Sequence, residues 1–360
     1  MSDFAARVVA WQRAHGRRDL PWSGRDPYRV WLAEVMLQQT QVSTVIGYYT
    51  RFLSRFPDVR SLAAAALDEV LALWAGLGYY ARAHNLHACA CAIVAEHGGT
   101  FPRSAAELQR LPGIGRSTAA AIAAFCFNER AAILDGNVKR VLARHFGIEG
   151  FPGAGAVERE LWRRAQALLP DAASMPAYTQ GMMDLGATVC TRARPRCGAC
   201  PLARTCVALR TGRVDELPAA RPRREAPVRR VQMLVALHRD AVLVEKRPPS
   251  GIWGGLLALP QFDGVAALDA AAAALGAATP VRALPARRHA FTHFTLQFTP
   301  RVARIERLAH AAREPGACWL PLAQIDTAAL PAPLRALLRE VAAAYSGSTP
   351  SATRKRDTML

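Results

Sequence analysis

A mainly α-helical N-terminal domain followed by an α+β C-terminal domain is the fold class this sequence predicts, and three observations predict it. Up to about residue 210, apolar residues recur at three- and four-residue spacing, with Gly or Pro at the joints, as amphipathic helices require. From Val231 the period changes to that of strands. Four cysteines, Cys190, Cys197, Cys200 and Cys206, close the helical part as C-x6-C-x2-C-x5-C, a spacing that can hold one compact inorganic centre.

In the helical part the periodic runs are Tyr28–Phe56, Leu67–Ala75, Ala81–Glu96, Ser117–Phe127, Val138–His145 and Val157–Leu169. Further on, Val231–His238 and Ala241–Lys246 flank Arg239-Asp240, which predicts a β-hairpin, and Phe291–Pro300 alternates again. Between the two parts runs RPRREAPVRR (221–230), whose five arginines and two prolines predict an extended, solvated connector. It is either a plain linker or a segment that lies along a nucleic-acid backbone. The expected organisation is a helical domain over 1–211, a basic linker over 212–230, the α+β domain over 231–345 and a disordered tail over 346–360.

The 360 residues carry Lys+Arg 46 against Asp+Glu 28, a net charge of +18. Such an excess favours a polyanionic partner, because neutralising phosphates releases counterions. Only Lys139, Lys246 and Lys355 are lysines; Arg suits bidentate phosphate contacts, although the alanine-rich composition makes codon bias an equal explanation. The first residues lack a basic region followed by an apolar run, and no apolar stretch of about twenty residues occurs. Neither a signal peptide nor a membrane span is expected. The other cysteines, Cys89, Cys91, Cys126 and Cys318, sit in apolar surroundings and read as reduced core residues, which points to the cytoplasm.

Three segments carry chemistry. LPGIGRST (111–118) opens a helix, and its glycines Gly113 and Gly115 let the backbone approach an anion at the helix start. This is the hairpin of a helix-hairpin-helix element, which grips DNA phosphate without reading sequence. Asp135, before the helix starting near Val138, is placed for an N-cap or for an i,i+4 ion pair with Lys139. Glu34 lies in the apolar run VWLAEVML (30–37) without a basic neighbour within four residues. If buried, its pKa rises and it stays protonated near neutrality, as a general acid must; the alternative is a solvent-facing position on an amphipathic helix. For the cysteine quartet, the six-residue first gap fits the paired short loops of zinc poorly and an iron–sulfur cluster better.

Taken together, VWLAEVMLQQTQV (30–42), GLGYY (76–80), LPGIGRST (111–118), LDGNVKR (134–140), GMMDLGATVC (181–190) and the cysteine quartet resemble the MutY-type adenine DNA glycosylases of the helix-hairpin-helix (endonuclease III) superfamily. The resemblance extends to about residue 345. It implies a helical glycosylase domain whose loop over 190–206 holds a [4Fe–4S] cluster on Cys190, Cys197, Cys200 and Cys206. It also implies a monomeric, nucleoid-associated enzyme that acts on double-stranded DNA containing A:8-oxoG or A:G mispairs and has no membrane partner. The adenine is flipped from the stack and removed by hydrolysis. Glu34 aligns with the family's general acid, which protonates adenine N7, and Asp135 with the carboxylate that stabilises the oxocarbenium-like sugar, a two-carboxylate logic shared with glycoside hydrolysis.

By the same alignment Gln38 and Gln39 fill the gap left in the helix, and Tyr79 wedges beside the lesion. Arg17, Trp22 and Gln180 surround the adenine pocket, and Asn137 orients Asp135. Bifunctional relatives carry a lysine nucleophile directly after the LPGxGR turn; here that position is Ser117, which cannot form a Schiff base, so a monofunctional enzyme is expected.

RPPSGIWGG (247–255) with LPQF (259–262) resembles the family's Nudix-like C-terminal domain. Residues 261–280 contain Asp263 and Asp269 but no glutamate to hold magnesium, so pyrophosphohydrolase activity is not expected. Phe291, Thr292 and His293 match the loop that probes 8-oxoguanine, with Thr292 in place of the family's serine; by itself His293 could equally be a packed strand residue. The competing functions are a bifunctional glycosylase/AP lyase of the endonuclease III type and a non-catalytic DNA-binding iron–sulfur protein.

Overall fold

Side-chain caps fix where several helices of the first part begin. Ser2 accepts from Ala5 N at the start of α1 (Asp3–His15), and Asp26 accepts from Tyr28 N and Arg29 N at the start of α2 (Pro27–Leu37), with Pro27 in the first turn. The remaining helices of this part are α3 (Val42–Arg55), α4 (Val59–Ala63), α5 (Leu67–Trp74), α6 (Ala81–His97), α7 (Ala105–Leu108) and α8 (Arg116–Phe127). After them come α9 (Gly136–Phe146), α10 (Gly155–Ala167), α11 (Met175–Asp184) and α12 (Val207–Arg210). The computed structural model describes residues 2–222, 226–248, 251–277, 281–309 and 317–346. It divides into two units, Met1–Ala65 with Arg82–Arg224, and Ala66–Ala81 with Glu225–Leu360, so α5 belongs to the second.

One expected helix is two. The run Tyr28–Phe56 breaks after Leu37, where Gln39 takes a left-handed backbone (φ 58°) and α3 restarts at Val42. No Gly or Pro marks the break, and a non-glycine residue at positive φ carries backbone strain.

The core of the first unit gathers Phe4, Val8 and Val9 of α1, Ala120, Ala121 and Ala124 of α8, Val138, Val141 and Leu142 of α9, and Tyr178 and Met182 of α11. Full burial of a side chain such as Leu142 contributes roughly 1.5–3 kcal/mol. The run Ala119–Ala124 is buried throughout, and its small side chains let neighbouring helices approach α8 closely. After α11 the chain widens into one π-helical stretch, Leu185–Val189. There Gly186 lies so close to Asn137 that a Cβ would come within 2.5 Å of the Asn137 Cβ.

In the second unit β1 (Val228–His238) and β2 (Ala241–Lys246) form the expected hairpin, pairing His238 with Ala241 around Arg239 at φ 50°. The sheet also contains β3 (Leu257–Ala258), β4 (Gln261–Phe262), β5 (Arg282–Ala283), β6 (Arg287–Ala290), β7 (Thr295–Arg304) and β8 (Ala317–Pro321). Its order is β3-β2-β1-β7-β5, with β1 and β7 parallel from Val228↔Thr295 to Leu237↔Arg304. Helix α13 (Val265–Ala274) buries Leu268 and Ala272 against Leu234, Ala236, Leu243 and Ala303. Helix α14 (Ala332–Ser346) closes the described chain. Cys318, expected in the core, is exposed on β8, although Leu320, two residues on, is buried.

Arg223, Arg224 and Glu225 of the basic linker, Pro249 and Ser250 of the RPPSGIWGG segment, and the tail from residue 347 lie outside the described residues. Among the described residues no helix is long and apolar enough to cross a membrane.

Candidate active site

Glu34, Arg17, Trp22 and Gln180 all line one pocket of about 410 Å³ in the first unit, together with Arg25, Phe125 and Met183. Glu34 reaches it from α2, an almost wholly buried helix, and is itself only partly exposed. Burial pushes its carboxyl up to about 7, and the Asp135 charge pushes the same way. A carboxyl with that pKa is protonated in about half the molecules at neutral pH.

The opposite wall is held by a residue that sequence reasoning missed. Asp184, at the end of α11, is 1% exposed. Its Oδ2 accepts from the Arg17 backbone N–H at 2.9 Å, and its Oδ1 accepts from Arg17 Nε at 2.7 Å and from Gln180 Nε2 at 2.8 Å. A single carboxylate thus fixes two pocket side chains and the loop after α1. The sequence holds a weak signal: Gln180 and Asp184 stand at i,i+4 on one helix, but Arg17 is 167 residues away. Trp22 packs edge-on against Tyr49, with ring centroids 5.4 Å apart.

Asp135 does cap α9, accepting from Val138 N at 2.8 Å, and Asn137 Nδ2 donates to its other oxygen at 3.2 Å. Burial raises its pKa on balance, although these donors and Arg140 pull it the other way. The anticipated Lys139 partnership is absent: Lys139 Nζ meets Glu158 Oε1 at 2.6 Å, on the neighbouring α10. Asn137 is held in turn by Arg140, whose Nη2 donates to Asn137 Oδ1 at 2.8 Å and to Gly186 O at 2.7 Å, and whose Nε donates to Cys190 O at 2.7 Å. The two carboxylates therefore differ in surroundings. Asp135 is engaged by donors that favour its charged form; Glu34 meets none among the described residues.

The glycine turn leads into this site. Gly113 has φ 73°, and a Cβ there would lie 2.5 Å from Asn85 Cβ, so only glycine fits. Gly115 is the N-cap of α8 with open space around it, which leaves the first amides accessible to a ligand. Ser117 Oγ accepts from Leu134 N at 2.9 Å, tying the hairpin helix to the residue just before Asp135. Arg116 lies over the Trp162 ring, 3.8 Å from its centroid.

Gln38 caps α2 and donates from Nε2 to Thr118 Oγ1 at 3.4 Å, whereas Gln39 is exposed. Tyr79, Phe291, Thr292 and His293 belong to the second unit. Tyr79 is 47% exposed with φ 50°, so it shares with Gln39 a strained, outward-facing conformation. Thr292 and His293 are exposed at the tip between β6 and β7, which answers for His293 the question its strand context left open.

The four cysteines line a separate small cavity with Arg144. Arg144 is 3% exposed; its Nη1 donates to Cys190 Sγ at 3.4 Å and to Thr191 O at 2.7 Å, and its Nε donates to Leu217 O at 2.8 Å. Burial pushes the Cys200 thiol up to about 11, as do its three cysteine neighbours. Among the described residues no three His, Cys, Asp or Glu side chains come together as tightly as a lone metal ion needs.

Comparison with known proteins fits this arrangement. Residues 32–167 match the HhH-GPD superfamily of base excision DNA repair proteins, and residues 232–340 match the NUDIX domain. An adenine DNA glycosylase of Buchnera aphidicola subsp. Baizongia pistaciae is 33% identical over 343 residues, 94% of this chain and 96% of that protein. The chain belongs to the adenine DNA glycosylase family. The Mus musculus adenine DNA glycosylase is 34% identical across 93% of this chain and 77% of its own length. A solved thermostable thymine-DNA glycosylase, 27% identical, superposes with a TM-score of 0.52 over 58% of this chain and 95% of its own. This chain is accordingly a DNA glycosylase of base excision repair, a helix-hairpin-helix domain joined to a Nudix-like one.

Proposed function

We propose that this glycosylase removes adenine mispaired with 8-oxoguanine or guanine in double-stranded DNA, and that it is monofunctional. The observation that carries the reading is the pairing of Glu34, a pocket-lining carboxyl with its pKa raised to about 7, with the donor-stabilised Asp135. An extrahelical adenine enters the pocket among Trp22, Arg17 and Gln180. Protonated Glu34 donates to N7, the N-glycosidic bond breaks, and the electron pair leaves with the base. Asp135 faces the resulting cationic sugar. Water then adds to the anomeric carbon, and the Glu34 carboxylate accepts its proton, restoring the acid.

Asn137 orients Asp135, and Gly113 with Gly115 receives backbone phosphate. Gln38, Gln39 and Tyr79 meet the opened helix, while Phe291, Thr292 and His293 probe the base opposite adenine. Ser117 leaves no amine for a Schiff base, and its hydroxyl oxygen is already engaged by Leu134 N. Cys190, Cys197, Cys200 and Cys206 hold a [4Fe–4S] cluster, for which four thiols around one cavity beside a buried guanidinium are a suitable donor set. When bound, the cluster shapes and stiffens its loop.

The test is single-turnover adenine release from duplexes pairing A with 8-oxoguanine, G or T, with and without alkali. Fast release opposite 8-oxoguanine, with strand breaks only after alkali, is expected. Breaks without alkali would make the enzyme a lyase, and no release would make it a non-catalytic DNA binder.

A further inference from the structure

The exposed pair Thr292 and His293 stands on an unusually well-supported turn. Phe291 N donates to Phe294 O at 2.8 Å, closing the turn, and Ala290↔Thr295 pairs the strands below it. The Phe291 and Phe294 rings stack under the tip, with centroids 4.7 Å apart and planes 16° apart. His289 meets Phe291 edge-on at 4.7 Å, and burial holds its imidazole below the usual pKa. Trp253 then contacts both His289 (6.2 Å) and Phe291 (5.8 Å). At the other end the Arg229 guanidinium lies 4.7 Å above the Phe294 ring.

Trp253 is the base of the stack. It is 6% exposed and held at φ 55°, a backbone conformation that is a true outlier for so bulky a side chain. Strain of this kind costs on the order of 1–3 kcal/mol and persists where surrounding structure fixes it, commonly beside a functional site. The strained residue, the three further rings and the arginine form one line of support ending at two exposed polar side chains.

We propose that Trp253, His289 and Arg229 are positioning residues for discrimination of the base opposite adenine, holding Thr292 and His293 in place through the Phe291–Phe294 stack. The inference rests on the reading of Thr292 and His293 as the lesion probe. None of the three positioning residues need touch DNA bases. They set the geometry of the two that do, and rigid support is what makes a small contact selective.

The experiment compares single-turnover rates opposite 8-oxoguanine and opposite guanine in the full-length enzyme. The variants are Trp253→Leu, Trp253→Phe, His289→Leu and the double Thr292→Ala/His293→Ala, with the rate opposite guanine and the melting temperature as folding controls. Trp253→Leu is expected to narrow the 8-oxoguanine/guanine ratio by roughly 10- to 100-fold, the scale of a misplaced contact. The rate opposite guanine should be unchanged, Trp253→Phe should restore most of the ratio, and adding Trp253→Leu to the double alanine variant should cause no further loss. His289→Leu should act in the same direction and serves where the tryptophan variant does not fold. A narrowed ratio in the double alanine variant but a wild-type ratio in Trp253→Leu and His289→Leu would overturn the positioning role alone. A wild-type ratio in the double alanine variant would overturn the probe reading and this inference with it.

Discussion

The pocket around Glu34 and the turn carrying Thr292 and His293 are held in place by different physics. The pocket and its neighbourhood are fixed by charge-assisted hydrogen bonds to carboxylates: buried Asp184 takes three donors, and part-buried Asp135 takes the Val138 amide and Asn137. The turn is fixed by stacked rings ending on an exposed tip. A polar network defines where a proton and a charge sit, and it does so only while every member is present. A ring stack instead places its tip by shape, through flat faces and edges that an aliphatic side chain does not reproduce. Catalysis suits the first construction and recognition suits the second.

Breaking the polar side should have the largest effects. Glu34→Gln removes the transferable proton and should lower adenine release by about 10²–10⁴-fold while leaving mismatch binding intact; normal turnover, measured beside a binding titration, would sink the acid assignment. Asp135→Asn keeps a good N-cap for α9 but loses the negative charge proposed to stabilise the cationic sugar, so a fall of roughly 10²–10³ with an unchanged melting temperature is expected. For Asp184→Asn we expect about 10²-fold slower release from misplaced Arg17 and Gln180. The cleanest readout is comparison with Arg17→Ala and Gln180→Ala singly. Ser117→Ala leaves the buried Leu134 N–H without its acceptor and should cost about 1–3 kcal/mol of stability, with a smaller, roughly tenfold, loss of rate through the displaced Asp135.

A pH titration sharpens the same contrast. The folded-state pKa of Glu34 is raised from 4.5 to about 7, so ionising it costs stability. That cost is absent below the unfolded pKa, grows between about pH 4.5 and 7, and is complete above. Glu34→Gln should therefore be no more stable than wild type at pH 4 and more stable at pH 8, by on the order of 3 kcal/mol. Urea unfolding at both pH values checks the sign, and the adenine-release rate should fall as pH rises through about 7.

Much of this was legible in the sequence where the pattern is local. The hairpin Val231–Lys246, the glycine turn at Gly113 and the cysteine spacing each reside in a short window, and the apolar run around Glu34 marked its burial. The break at Gln39 was not legible, because LQQTQV continues the helical period and the left-handed residue is neither Gly nor Pro. Asp184 reads as an ordinary helical acid until folding brings Arg17 to it, and Trp253 acquires its meaning only when the β6–β7 turn arrives beside it. What local pattern omits is the partner supplied from a distant part of the chain.

The Asp184 clamp also has an evolutionary consequence. Three donors share one acceptor, so the failure modes are unequal. Losing Arg17 or Gln180 leaves the others still tied, whereas losing Asp184 frees all of them together. Substitutions at these positions should be strongly epistatic, with Arg17 and Gln180 open to exchange one at a time and Asp184 nearly closed to drift. A pocket built this way needs few buried charges and concentrates its vulnerability in one residue that is itself 1% exposed.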